Sequence, residues 1–216
     1  MTRAAVIRLA ALSLIVGAIL LGVLMIVSAI AFPNQDPTGY AGNPAFAIVN
    51  LLSAIGAALL LLGLPILLLD RVEEFGLLGV IGFALIFLVG LMFGVFFGLF
   101  GAVIVPIMGT KGSPSIFSGE PGPSLFAFFI GATLFELVGA VLLAIAAFRR
   151  RGGVRSWLGY LFALTAVFTV IGFVASSPGS NNVFAALLSD ISGVLLMIAF
   201  VWLGYELWSA QRLAAT

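Results

Sequence analysis

The sequence predicts an all-α fold, a polytopic membrane bundle of six transmembrane helices with both termini in the cytoplasm. Three observations predict it. Of 216 residues, 63% are hydrophobic and only 8% are charged, where soluble domains average about 45–50% and about 25%. The apolar residues fall into runs of bilayer-spanning length separated by short polar loops. Six crossings also put all but one of the cations on one side.

The first run, Leu9 to Phe32, follows Arg3 and Arg8. Ser28-Ala29-Ile30-Ala31 resembles a signal-peptidase site. The run is too long for a signal core of about 7–15 residues, so an uncleaved first span over 9–32 is expected. Pro33 to Pro44 carries the Pro, Gly, Asn and Asp of a loop. The second span covers 45–69 and ends at Asp70-Arg71, and Pro65 is expected to kink it.

Between Glu74 and Lys111 there is no charge. The intervening residues would make about 54 Å of helix against a hydrocarbon core of about 30 Å. Two spans need about 40 residues plus a turn, so one long or tilted helix over 76–105 is expected, ended by Pro106 and the loop Gly109 to Pro123. Spans four, five and six follow at 124–148, 157–175 and 183–208, forming one transmembrane domain over 1–216.

This topology gathers Arg3, Arg8, Arg71, Arg149, Arg150, Arg151, Arg155 and Arg212 on one side and leaves Lys111 on the other. The positive-inside rule makes the arginine side cytoplasmic, with Arg149, Arg150, Arg151 and Arg155 as topology determinants near the lipid headgroups. The excess of Arg over Lys and the Ala/Gly-rich spans point to a bacterial inner membrane.

The even-numbered spans share a pattern: Ser53-x-x-Gly56, Glu136-x-x-Gly139 and Asp190-x-x-Gly193, each followed by small and branched residues. The pattern hints at three related helical hairpins.

The chain contains neither His nor Cys. No cofactor is predicted: haem, zinc and iron–sulfur clusters lack their usual ligands, no metal site is expected, and His-dependent nucleophilic catalysis is excluded. Phosphate-cradling and paired-acid metal motifs are missing as well. A net charge of +1 gives no reason to expect nucleic acid as a partner.

Glu136 is the sharpest signal. It sits about 18 Å along the fourth helix, near the bilayer midplane, where an ionised carboxylate costs on the order of 3 kcal/mol. Ala132, Thr133, Gly139 and Ala140 flank it at three and four residues and turn it into the bundle. Asp190 lies in the outer half of the sixth helix, and Asn50 and Ser53 reach a comparable depth in the second. Glu136, Asp190, Asn50, Ser53 and Thr133 therefore form the candidate intramembrane polar site. Its acids hold a proton, hold a cation or meet water, or they serve only as hydrogen-bonding glue between helices.

The third helix carries Gly82, Gly90, Gly94 and Gly98 on a four-residue spacing. Such a ridge admits a close-packed backbone, from the same bundle, a membrane protein partner or a second copy. The phenylalanines beside it (Phe93, Phe96, Phe97, Phe100) suit lipid or a long apolar ligand.

The function expected is that of a non-enzymatic accessory or partner-binding bundle in the lipid bilayer. The alternative is a small proton- or cation-coupled transporter with its site at Glu136 and Asp190. A lipid-acting enzyme stands third, for want of a catalytic residue set.

Overall fold

Backbone amides in hydrocarbon find partners only within their own segment, which makes the helix the default for these apolar runs. The computed structural model describes residues 2–32, 37–40, 42–110, 123–149, 156–175 and 183–213. Every regular element among them is helical, and none is a strand.

Helix α1 is Arg3–Ala31, and Thr2 caps it by accepting from the Ala5 N–H at 3.4 Å. A short 3-10 turn follows at Pro37–Tyr40. Tyr40 and Phe46 stack at 5.4 Å beside Phe32. Helix α2 is Pro44–Val89, started by Asn43, whose Oδ1 accepts from the Ala45 N–H at 3.0 Å. It runs on through Gly90–Phe96 and Phe100–Ile104, both π-helical, to Val105–Thr110. Helices α3 (Pro123–Arg149), α4 (Ser156–Ala175) and α5 (Val183–Leu213) complete the chain. All five are long and apolar enough to cross a membrane.

The second is too long to be straight. Its apolar stretch, Pro44–Ile107, holds 64 residues, about 96 Å of helix. It reverses at Gly76, whose φ of 61° and ψ of −169° lie where only glycine is at ease. Pro65, the residue expected to bend it, stays within helical geometry. The two limbs, 44–75 and 77–110, then pack antiparallel. A Cβ on Gly90 would meet Leu61, one on Gly94 would meet Ala57, and one on Gly98 would meet Ala54 and Asn50. The long helix expected over 76–105 is present, continues past Pro106 to Thr110, and is wound as a π-helix over much of its glycine-rich stretch.

The limbs form a closed ring in chain order. α1 rides on the first limb of α2, with Gly17 against Leu60 and Gly56. The second limb meets α3 where Gly82 faces Gly139 and Leu143. α3 and α4 meet at Phe148 and Gly159, and α4 and α5 where Trp157 stands edge-on to Trp202 at 4.8 Å. α5 returns to α1 through Gly204 against Ile15 and Gly22 against Met197. Phe83, Phe162 and Phe200 fill the centre, each neighbouring pair 6.4 Å apart, with Leu14, Leu64 and Leu143 among their buried company. Large apolar side chains such as Leu62, Leu69, Leu77 and Val174 point outward instead. Large apolar side chains on the outer face are what a lipid-facing bundle presents.

The antiparallel registers bring Arg3, Arg71 and Arg149 to one end of the ring. Arg71 is buried there and ion-paired to Glu74 at 2.6 Å and Asp70 at 3.4 Å. Arg150, Arg151 and Arg155 and the loop carrying Lys111 lie outside the described residues.

The hairpin repeat reads differently at its three members. Gly56 faces Gly17 of the preceding helix, and Gly139 faces Gly82 of the preceding limb. Gly193 turns to Met25 of α1, the neighbour that closes the ring.

Candidate functional site

Glu136 stands midway along α3 on the face that carries Ala132, Gly139, Ala140 and Leu143, all buried. That face is turned inward because its small residues let neighbouring helices approach. The carboxylate oxygen Oε1 accepts from the Ser192 hydroxyl of α5 at 2.9 Å and from the Thr169 hydroxyl of α4 at 3.2 Å. The two hydroxyls are 2.7 Å from each other. Both also reach the main-chain carbonyl of Thr165, from Thr169 at 2.9 Å and from Ser192 at 3.2 Å. Thr165, Thr169 and Ser192 are 0%, 5% and 1% exposed. The result is a closed polar node at the meeting of three helices, with one acid in it.

Of the residues expected to share a site, the structure leaves most apart. Asn50 donates to the Phe46 carbonyl at 2.9 Å and Ser53 to the Val49 carbonyl at 2.8 Å, each within its own helix. Asn50 lies against Gly101 of the second limb. Thr133 donates to the Phe129 carbonyl at 2.9 Å, within α3. Hydroxyls that bond four residues back are satisfied locally and need no second helix. Asp190 shares its helix face with Gly193 and Met197, which look towards α1. It is half-buried on the seam between α1 and α5, one seam away from Glu136.

The glycine ridge is occupied by the chain itself. Gly82 takes α3, and Gly90, Gly94 and Gly98 take the first limb of α2. Phe93, Phe96 and Phe97 pack against Phe128 at the start of α3, with centroids 5.7–6.3 Å apart.

Sequence reasoning missed Thr165, Thr169 and Ser192, although a signal existed. Glu136 lies as far ahead of the end of α3 at Arg149 as Thr169 lies beyond the start of α4 at Ser156. A short connection makes such residues level in an antiparallel pair. Thr165 and Thr169 are also four residues apart on one face of an otherwise apolar helix.

At the arginine end, the Trp202 indole donates to Glu206 at 3.0 Å beside Trp157 and Tyr205. That acid is matched within one turn of its own helix.

Comparison with family models, with curated proteins and with solved structures found no match for this chain. The site is therefore read from its own chemistry.

Proposed function

We propose that the chain is a small, non-enzymatic membrane transporter whose working group is Glu136, coupled to a proton or a small cation. The observation that carries this reading is the bond from Ser192 to Glu136 at 2.9 Å, closed by Thr169. It gathers an acid, two hydroxyls and a carbonyl from three helices where a charge is costly and therefore rarely incidental. In this reading the limbs on either side of Gly76 both cross the bilayer, giving six spans. The arginine end then faces the cytoplasm of a bacterial inner membrane, with both termini on that side.

A partner-binding bundle is the second reading. The glycine ridge that suggested it makes its close approaches within the chain, which removes its main support. No residue set among those described favours chemistry on lipid.

The test is flux in proteoliposomes under imposed proton and alkali-cation gradients. The reading expects a gradient-dependent flux that Glu136→Gln abolishes. Flux unchanged in that variant, or none under any gradient, would discard it.

A further inference from the structure

We propose that the Glu136 node is a binding site for one dehydrated sodium ion, held by Glu136 Oε1, Thr169 Oγ1, Ser192 Oγ and the Thr165 carbonyl. This deepens the transport reading and rests on it for its biological meaning.

The argument begins with hydrogens. Five oxygen–oxygen approaches between 2.7 and 3.2 Å join these four atoms. Two hydroxyls supply two hydrogens, and the carboxyl adds at most one. The carbonyl also accepts from its own helix, so lone pairs outnumber hydrogens throughout the cluster. An ionised Glu136 would leave the node with one negative charge that its own hydroxyls do not neutralise.

The donor set selects the ion. All four atoms are hard oxygens, the kind that bind alkali and alkaline-earth cations, and no nitrogen or sulfur ligand is offered. One carboxylate balances a single positive charge. A divalent ion would be left with excess charge in a low-dielectric interior, since Glu136 is the one acid among the four ligands.

Size follows from spacing. Oxygens holding a cation of calcium's radius at about 2.3–2.6 Å stand about 3.3–3.7 Å apart at right angles. Sodium has nearly that radius. The present spacings of 2.7–3.2 Å would have to open by about 0.1–1.0 Å to admit it. Potassium would demand a wider spread from three helices already packed on small residues. Because the ligands come from α3, α4 and α5, occupancy would also tie those helices together, which is the property a coupling ion needs.

The experiment is binding of radioactive sodium to the full chain in detergent micelles, in choline chloride at constant pH and ionic strength. The expected result is saturable one-to-one binding that unlabelled sodium displaces and potassium does not. Glu136→Gln should lose it, and Ser192→Ala and Thr169→Val should weaken it by about tenfold or more. Absence of saturable binding to the unaltered chain would overturn the site whatever the variants do. So would equal binding by a folded Glu136→Gln protein, or displacement by potassium as effective as by sodium. Proton-driven flux at full rate without sodium, abolished by Glu136→Gln, would overturn the sodium site and leave the transport reading standing. Sodium binding that obeys these variants in a protein without flux would do the reverse.

Discussion

Ser192 on α5 and Glu136 on α3, 56 positions apart in the chain, meet at 2.9 Å. Helix α4 lies between the two in sequence, and its Thr169 touches both partners. The contact makes three helices share one acid, and the bundle's stability should register it.

The energetic signature is a coupling. Glu136→Ala, Ser192→Ala and the double variant should give a non-additive interaction of about 0.6–1.7 kcal/mol, the scale measured for polar contacts between membrane helices. Reversible unfolding in mixed micelles would measure it. Strict additivity would mean the bond contributes nothing.

Close approach at Gly17 predicts a steric penalty. A Cβ there would lie 2.5 Å from the Leu60 nitrogen and 2.7 Å from the Gly56 carbonyl oxygen, both backbone atoms that cannot step aside. Gly17→Ala should therefore cost about 1–3 kcal/mol. Gly131 has open space around it, so Gly131→Ala should stay within about 0.5 kcal/mol. Equal losses in the same unfolding assay would contradict this packing of α1 on α2.

The reversal at Gly76 is a backbone matter alone. Nothing lies within 4 Å of a Cβ placed there, but its φ of 61° strains any L side chain. Gly76→Ala should destabilise by about 1–3 kcal/mol without a clash. Full retention of thermal stability would show that the chain turns elsewhere.

Because the sequence lacks cysteine, the antiparallel limbs can be tested by cross-linking on a clean background. Ala57→Cys with Gly94→Cys brings together positions where a Cβ on the glycine would touch the alanine. Disulfides form over Cα separations of about 4.4–6.8 Å, so oxidation should link this pair and not a control pair of Ala57→Cys with Gly131→Cys. Failure of the first pair to link would argue against the hairpin.

Membrane sidedness gives a separate prediction. Single cysteines placed at Thr2 and Gly152 should react with an impermeant thiol reagent from the same side, and one at Gly112 from the other. A cysteine at Gly152 labelling from the side opposite Thr2 would require an odd number of crossings between them.

Much of the architecture was legible before any coordinates. Helices in hydrocarbon form by bonds four residues back along the chain, so hydropathy and length alone located α1, α3, α4 and α5. The position of Glu136 midway along its helix is equally readable, because rise per residue is constant. Depth is not direction, however. Asn50 and Ser53 match Asp190 in depth along their helices, yet their amide and hydroxyl donate within their own helix. Thr169 and Ser192 carry no charge and so give no signal by depth, yet they donate the side-chain hydrogen bonds that Glu136 accepts among the described residues.

Composition and local spacing by themselves determined that this is a helical bundle apolar enough for lipid, with an acid midway along one of its helices. Only the tertiary structure decided that the chain doubles back at Gly76, that the glycine ridge is spent on its own neighbours, and that Glu136 and Asp190 look into different seams. The reason is geometric. A helix is specified by contacts within itself, whereas the meeting of two side chains depends on the rotation and register of two helices. Those are set by where small residues such as Gly17, Gly82 and Gly94 allow backbones to close, which no single segment contains.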